Sequence, residues 1–518
     1  MTSGIHHITL ITRKVQANVD FYVGFLGLRL VKRTGGFEDA QQLHLIYGDS
    51  AGSPGSLVTF LVWEDGAPGR VGLGQVAEFS LAVDPGSLGF WISRALEFGV
   101  QMDGPQREFG ETVLRLKDPD GIVVKLVGAE LEAFADPAPT KGIPAADAVR
   151  RIRGASLLSN VPDQTMSFLE SYFGFQHSSS NDTTYRMVSE SGDTIDIRNA
   201  AGFWPGAPGT GVADHVAFRA VDRDALGQVE ARLAGLNSSI SNSHDRKYFH
   251  SLYVREPGGT LLELATDGPG MTVDEPLATL GTTLFIPPGD SDRAADLEVM
   301  LPQFSLPGEY RIGYRDLPFV HRFTAPEDPD GTTIVLLHGS GGNEADLMPL
   351  ASRIAPRATR LGVRGRSTEE QTGRWFRRHS QTSFDEADIR SEAEAFAAFL
   401  DMAVDEYGLD REKMVVLGYS NGANFAAATM LLHTGAIRRA VLFRPSLVIS
   451  PPEVADLQGT RVVLVSGHDD TLAALLTSPE MILKERGAAV EVIVVPAGHE
   501  LSGVDVEAGH EALEFLFA

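Results

Sequence analysis

EPGGTLLELAT (256–266) repeats the turn chemistry and apolar alternation of DPDGIVVKLVG (118–128), and the two stretches stand 138 residues apart. The same offset carries VAEFSLAVD (76–84) onto the region of HVAFRAVD (215–222), with no gap between the strands compared. A looser repeat relates FYVGFLG (21–27) to FLESYFG (168–174), 147 positions apart. Each of the four units within residues 1–266 begins with a strand, passes through an amphipathic helix and ends in further strands. The segment from Asp267 to about residue 302, rich in Gly and Pro, reads as loops and an extension.

Beyond residue 303 the pattern changes. TTIVLLHGSGG, KMVVLGYSNGANFAAATMLL, RRAVLF, RVVLVSG and EVIVVPAGHE are short β-branched runs alternating with helical stretches such as DIRSEAEAFAAFLDMAVDEYG. That alternation predicts an α/β half whose mostly parallel sheet is covered by helices. The expected domains are residues 1–145 (modules one and two), 146–302 (modules three and four plus the tail) and 303–518. A chain of 518 residues has room for roughly three such units.

Composition narrows the chemistry. A formal net charge of −25 argues against nucleic acid or an anionic membrane as partner, because both demand basic patches. Cysteine is absent, which removes disulfides, zinc-thiolate sites and a cysteine nucleophile and leaves His, Asp and Glu as metal ligands. The start MTSGIHHITL has no basic region followed by an apolar one, and no apolar run approaches the roughly 20 residues that span a bilayer. The expectation is a soluble, cytoplasmic protein. A homo-oligomer is compatible with it.

The repeat also serves as an internal control. At the 138-residue offset His215 falls on Ala77 and Glu263 on Lys125, and between modules one and three His7 falls on Gly154 or Ala155. One His from module one and a His plus a Glu from module four therefore make a single site. In GIHHITL, strand alternation sends His7 and Thr9 to one face and His6, Ile8 and Leu10 to the other. His6 is expected beside the site or in the core. A carboxylate inside LLELA is costly to bury unless paired or coordinating. Two imidazoles and one carboxylate with open positions favour non-haem Fe(II).

The stretches GIHHITLITRKVQANVDFYVGFLGLRLVKRT, YGDSAGSPGSLVTFLVW and DRKYFHSLYVREPGGTLLELATDGPG resemble the para-hydroquinone ring-cleaving dioxygenases of the vicinal oxygen chelate superfamily. The resemblance covers about residues 1–302. It implies an α+β fold of four βαβββ modules and iron ligands at His7, His215 and Glu263. It also implies a pocket lined by Arg246, Tyr253, Thr9 and His6, with small aromatic diols and dioxygen as substrates. Tyr253 suits donation to a phenolate oxygen, and Arg246 a fixed positive charge. Core packing and a surface ion pair are their respective alternatives. His250 is typical of the family and is included as a substrate-pocket residue. Relatives often carry a second His before the module-four ligand, where this chain has Asp214.

In the second half, Gly418-Tyr419-Ser420-Asn421-Gly422 fits the nucleophile elbow G-x-S-x-G, between a strand and a helix as that motif requires. His338-Gly339-Ser340-Gly341-Gly342 lies where an oxyanion loop belongs. Asp469, Asp470 and His499 follow later strands in the order of α/β-hydrolases. LHGSGGNEADLMPLA, GYSNGANFAAA and PAGHEL resemble the carboxylesterase/phospholipase branch of that fold. The resemblance, over about residues 310–518, implies Asp470 as the acid and amides of Ser340 and Asn421 as oxyanion donors. Thr471 stands where relatives usually have Pro. Trp375 and Phe376 read as packing rather than as an acyl pocket, and Arg377 and Arg378 as surface charges.

The chain thus reads as a bifunctional enzyme, an Fe(II)-dependent hydroquinone dioxygenase fused to a Ser-His-Asp carboxylesterase-like hydrolase that takes an ester or acyl substrate. The alternatives are a glyoxalase-like metal isomerase or transferase, or an aromatic-binding module, in place of the dioxygenase.

Overall fold

The computed structural model describes residues 4–137, 140, 142–234, 242–309, 315, 317–452 and 454–518. The chain divides into two compact units, Met1–Asp292 with Leu301–Tyr310, and Arg293–Met300 with Arg311–Ala518.

The first unit is built on two sheets, each combining one module from either half of the repeat. One sheet runs Asn242–Asp245, Phe249–Arg255, Leu261–Pro269, Ala213–Ala220, Ile5–Thr12, Leu57–Val62, Leu43–Gly48, Arg29–Gly35 and Leu284–Phe285, and so joins module four to module one. The other runs Gln176–Ser180, Thr184–Val188, Thr194–Asn199, Arg151–Ser159, Val76–Val83, Val123–Gly128, Glu111–Lys117 and Met102–Glu108, joining module three to module two. In the first sheet Ile5–Thr12 pairs antiparallel with Ala213–Ala220, with His7 opposite Ala217 and Thr9 opposite His215. Ala213–Ala220 pairs parallel with Leu261–Pro269, with Ala217 opposite Glu263.

His7, Ala217 and Glu263 therefore form one row across three strands. His215, two residues before Ala217, shares its face. A methyl group in the middle of that row leaves space between the flanking side chains. In the sister sheet Phe79, the counterpart of Ala217, lies opposite Ala155, which identifies Ala155 as the position equivalent to His7. Lys125, the counterpart of Glu263, is held in an ion-pair cluster with Glu78 at 2.9 Å and Glu108 at 3.2 Å. The frame is shared, and the His, His and Glu side chains occur in one copy.

One expectation fails locally. Strict alternation separates His6 from His7, yet both are buried and their Nδ1 atoms approach to 2.9 Å. A register shift between Ile5 and His7 interrupts the pleat, so His6 is the extra residue of a bulge and its ring swings towards its neighbour.

The second unit carries a sheet in the order His321–Thr324, Thr359–Val363, Thr333–Leu337, Met414–Tyr419, Arg439–Phe443, Arg461–Gly467 and Ala489–Val495. His321–Thr324 pairs antiparallel and the remaining pairings are parallel. Alternate residues feed two cores. Val335, Leu337, Val416, Leu442 and Leu464 face helices Glu386–Tyr407 and Asn421–Leu432. Ile334, Leu336, Val415, Leu417 and Val463 face Met348–Ile354 and Gly503–Phe517.

A buried ion pair ties the last helix to the loop that follows strand Ala489–Val495. Arg444 Nη1 lies 2.8 Å from Asp505 Oδ1, with both side chains fully buried, while Arg444 Nε donates to the carbonyl of Gly498 at 2.8 Å. Asp505 also caps its helix through the backbone N–H of Ser502. Arg444→Met would strand the carboxylate in the core, at a cost of about 3–5 kcal/mol. Calorimetry of the intact chain is expected to show one transition moved down in temperature and the other unchanged.

Candidate active sites

His7, from the row described above, and His215 line a cavity of about 740 Å³ in the first unit. His7 Nε2 and His215 Nε2 are 3.3 Å apart, and Glu263 Oε2 lies 2.7 Å from His215 Nε2 and 3.3 Å from His7 Nε2. All three side chains are buried. Glu263 Oε1 accepts from Ser251 Oγ at 2.6 Å, while Oε2 has no hydrogen bond of good geometry.

Charge accounts for the titration of these groups. Burial opposes ionisation of Glu263, but His7 and His215 outweigh it and hold the carboxyl well below its ordinary range. Burial likewise opposes charge on His215, yet Glu263 and Asp214 raise it to about 9. His7, where burial dominates over Glu263, is lowered. Two imidazole nitrogens, from which a bound cation would displace any proton, and an anionic oxygen, buried and converging on one point, are a donor set that fits a divalent cation.

Asp214 occupies the place where the resemblance implies a histidine. It lines the cavity, and its Oδ2 lies 2.7 Å from His215 Nδ1. A carboxylate there fixes the ring so that Nε2 faces the cavity. Asp214→Ala is expected to weaken metal binding by roughly 10- to 100-fold, measured by competition with a chromophoric chelator.

Thr9, Arg246 and Tyr253 line the same cavity. The Thr9 hydroxyl is engaged with Thr59 at 2.8 Å. The Arg246 guanidinium lies 5.7 Å from the centroid of the Tyr253 ring and reaches Glu38 at 3.1 Å. Burial and the charge of Glu263 push the Tyr253 phenol up, so it stays protonated and able to donate. His6 stands behind His7, against Phe249, and is absent from the cavity lining. His250 is also turned away from the cavity: its Nδ1 lies 2.9 Å from the Arg223 guanidinium.

Sequence reasoning missed His44. It lines the cavity, its Nε2 is buried without a hydrogen-bond partner, and burial followed by the nearby His7 and Arg246 lowers it to about 3. Its signal was the alternation of LHLIYG, which puts His44 on one face with the cavity-lining Ile46.

The second unit presents Ser420 at the turn from strand Met414–Tyr419 into helix Asn421–Leu432, with φ 50° and ψ −112°. Such a backbone conformation is strained for a non-glycine residue and is held by the packing around it. A Cβ at Gly418 would meet Ala423 backbone at 2.8 Å, and one at Gly422 the Leu337 carbonyl at 2.2 Å, so both elbow glycines answer to close approach. Ser420 Oγ is 2.9 Å from His499 Nε2, and His499 Nδ1 is 2.8 Å from Asp470 Oδ2. Asp470 Oδ1 accepts from the Leu472 amide, so Thr471 does not prevent an ordered acid loop. Asp469 instead meets the exposed His468.

Ser340 and Asn421 line the same cavity, of about 300 Å³. Asn421 opens its helix, where amides lack intrahelical acceptors. Its side chain accepts from the Trp375 amide at 2.8 Å. Trp375 and Phe376 are buried in the core beside Phe425 and stand outside the cavity lining.

Known proteins fit this division. Residues 4–126 and 151–264 match the Glyoxalase/Bleomycin resistance protein/Dioxygenase superfamily, and residues 320–476 match Phospholipase/Carboxylesterase. The chain is 36% identical over 288 residues to the "Putative ring-cleaving dioxygenase MhqO" of Bacillus subtilis, covering 55% of this chain and 91% of that protein.

The chain belongs to the glyoxalase/dioxygenase superfamily, fused to a carboxylesterase-family domain.

Within the superfamily it is also 30% identical over 296 residues to the "Chlorohydroquinone/hydroquinone 1,2-dioxygenase" of Sphingobium indicum, covering 55% of this chain and 91% of that one. The carboxylesterase-family domain is 35% identical over 180 residues to the "Putative hydrolase MhqD" of Bacillus subtilis, covering 34% of this chain and 90% of that protein. Among the described residues no helix is long and apolar enough to cross a membrane.

Proposed function

We propose that the first unit is an Fe(II)-dependent dioxygenase that opens the ring of hydroquinones, and that the second is a Ser-His-Asp hydrolase of ester or acyl substrates. The convergence of His7 Nε2, His215 Nε2 and Glu263 Oε2, with both imidazoles lining the cavity, carries the first reading. The name of the Sphingobium relative supports hydroquinones as its substrates.

His7, His215 and Glu263 would hold the iron, whose bound form supplies the electron transfer that dioxygen chemistry requires. The chain does the rest. Asp214 and Ser251 orient the ligands His215 and Glu263. A para-diol cannot chelate through both hydroxyls, so the pocket must orient the ring. Tyr253, kept protonated, can donate a hydrogen bond to a phenolate oxygen, and Arg246 presents a fixed positive charge to an anionic product. The apolar flank of Ile46, Leu61, Trp63 and Phe249 limits water around the ring.

The second reading rests on the relay of Ser420, His499 and Asp470 at 2.9 and 2.8 Å. His499 Nε2 takes the Ser420 proton as Oγ attacks the acyl carbon, then returns it to the leaving oxygen. Asp470 holds the imidazole orientation. The amides of Ser340 and Asn421 face the charge that develops on the carbonyl oxygen. Water then releases the acid from Ser420. Dioxygen consumption with hydroquinones and hydrolysis of activated esters, each tested against the variants discussed below, examine the two readings separately.

A further inference from the structure

Arg377 and Arg378 look alike in sequence, but the structure treats them differently. Arg377 is spent on Asp385 at 3.3 Å and Asp388 at 3.1 Å. Arg378 lines the Ser420 cavity, and among the described residues its guanidinium forms no ion pair or hydrogen bond; its backbone N–H donates to Glu369 at 3.3 Å. The sequence expectation of a surface charge is corrected by this placement.

The segment that carries Arg378 is well defined. Arg378 bridges Phe384, the amides of His379 and Ser380 donate to the Ser383 carbonyl, and the Asp385 amide donates to Arg377. Gln381 and Phe384 from the same segment also line the cavity. The other charged groups in the lining are already partnered, Arg444 with Asp505 and Asp470 with His499. Among the described residues the cavity lining thus holds one uncommitted positive charge, in a chain whose net charge is −25. An acidic protein gains nothing in solubility from an unpaired guanidinium turned into a cleft, whereas such a group is suited to bind a carboxylate through two parallel hydrogen bonds.

We infer that the Ser420 site acts on esters or lactones that carry a carboxylate, with Arg378 as the group that binds it. This rests on the serine-hydrolase reading above. Leu472, Ala473 and Leu476 in the same lining offer apolar surface to a short carbon chain between the carboxylate and the scissile carbonyl. The class also agrees with the first unit's proposed chemistry. Insertion of both atoms of dioxygen beside a hydroxylated ring carbon turns that carbon into a carboxyl and its neighbour into a carbonyl, with no further reactant. Every such product is an anion at neutral pH.

The test uses the full-length protein with two esters of equal chain length, 4-nitrophenyl hemisuccinate and 4-nitrophenyl butyrate. The expected result is a preference for the hemisuccinate in kcat/KM that falls about 10- to 100-fold in Arg378→Gln and is partly restored in Arg378→Lys. The change should lie mainly in KM. Butyrate turnover by each variant reports that the fold and the Ser420 relay are intact. Equal use of both esters by the native protein, or a preference that survives Arg378→Gln, would overturn the inference and leave the hydrolase standing. Failure to cleave either ester, with Ser420→Ala no different from the native protein, would overturn the hydrolase reading and the inference with it.

Discussion

Glu263→Gln is expected to abolish iron retention and, with it, dioxygen uptake. The substitution keeps the shape of the side chain and removes the anionic oxygen that lies 2.7 Å from His215 and 3.3 Å from His7. A neutral amide is a poor metal ligand, and two buried imidazoles alone cannot offset the desolvation of a divalent cation. The loss should exceed the roughly 10- to 100-fold cost of removing an outer partner such as Asp214. Elemental analysis after anaerobic loading and desalting measures it. The same variant should still cleave activated esters, because Ser420, His499 and Asp470 belong to the other unit. Full iron retention by Glu263→Gln would remove the carboxylate from the proposed site.

Ser420→Ala should produce the complementary result, with ester hydrolysis reduced by roughly 10⁴- to 10⁶-fold in kcat and iron content untouched. Among the described residues Ser420 Oγ alone is in hydrogen-bond contact with His499 Nε2. The strained backbone at Ser420, with φ 50°, remains after the substitution because Gly418 and Gly422 still permit the turn. Lost activity therefore reports on chemistry rather than on folding. A stopped assay of 4-nitrophenyl butyrate, with labelling by a fluorophosphonate probe, distinguishes the nucleophile from a contaminating esterase. Residual labelling of the variant would place the nucleophile elsewhere.

The convergence of His7, His215 and Glu263 was readable because a repeat turns sequence into a comparison. His215 and Glu263 stand where the sister module has Ala77 and Lys125, and a shared frame forces such positions onto equivalent strand sites. The nucleophile elbow was readable for a different reason, since its glycines are imposed by contacts below 3 Å with neighbouring backbone. Sheet partners were not readable. The offset relates module two to module four, but pairing joins module four to module one, which only tertiary contacts decide. The bulge before His7 hid the contact between His6 and His7, because alternation has no knowledge of an extra residue. His44 and Arg378 escaped for a related reason. What marks each is a polar group left without a partner inside a cavity, and pairing is a property of three-dimensional surroundings.

The most direct test of the account is dioxygen consumption by the intact protein loaded anaerobically with Fe(II). Methylhydroquinone and catechol would be offered in parallel, with His7→Ala as the control. Uptake stoichiometric with loss of methylhydroquinone, and absent in His7→Ala, is the result predicted. Iron-loaded protein that consumes no dioxygen with any diol would contradict the ring-cleavage reading and leave the Ser420 hydrolase as the chain's enzymatic activity.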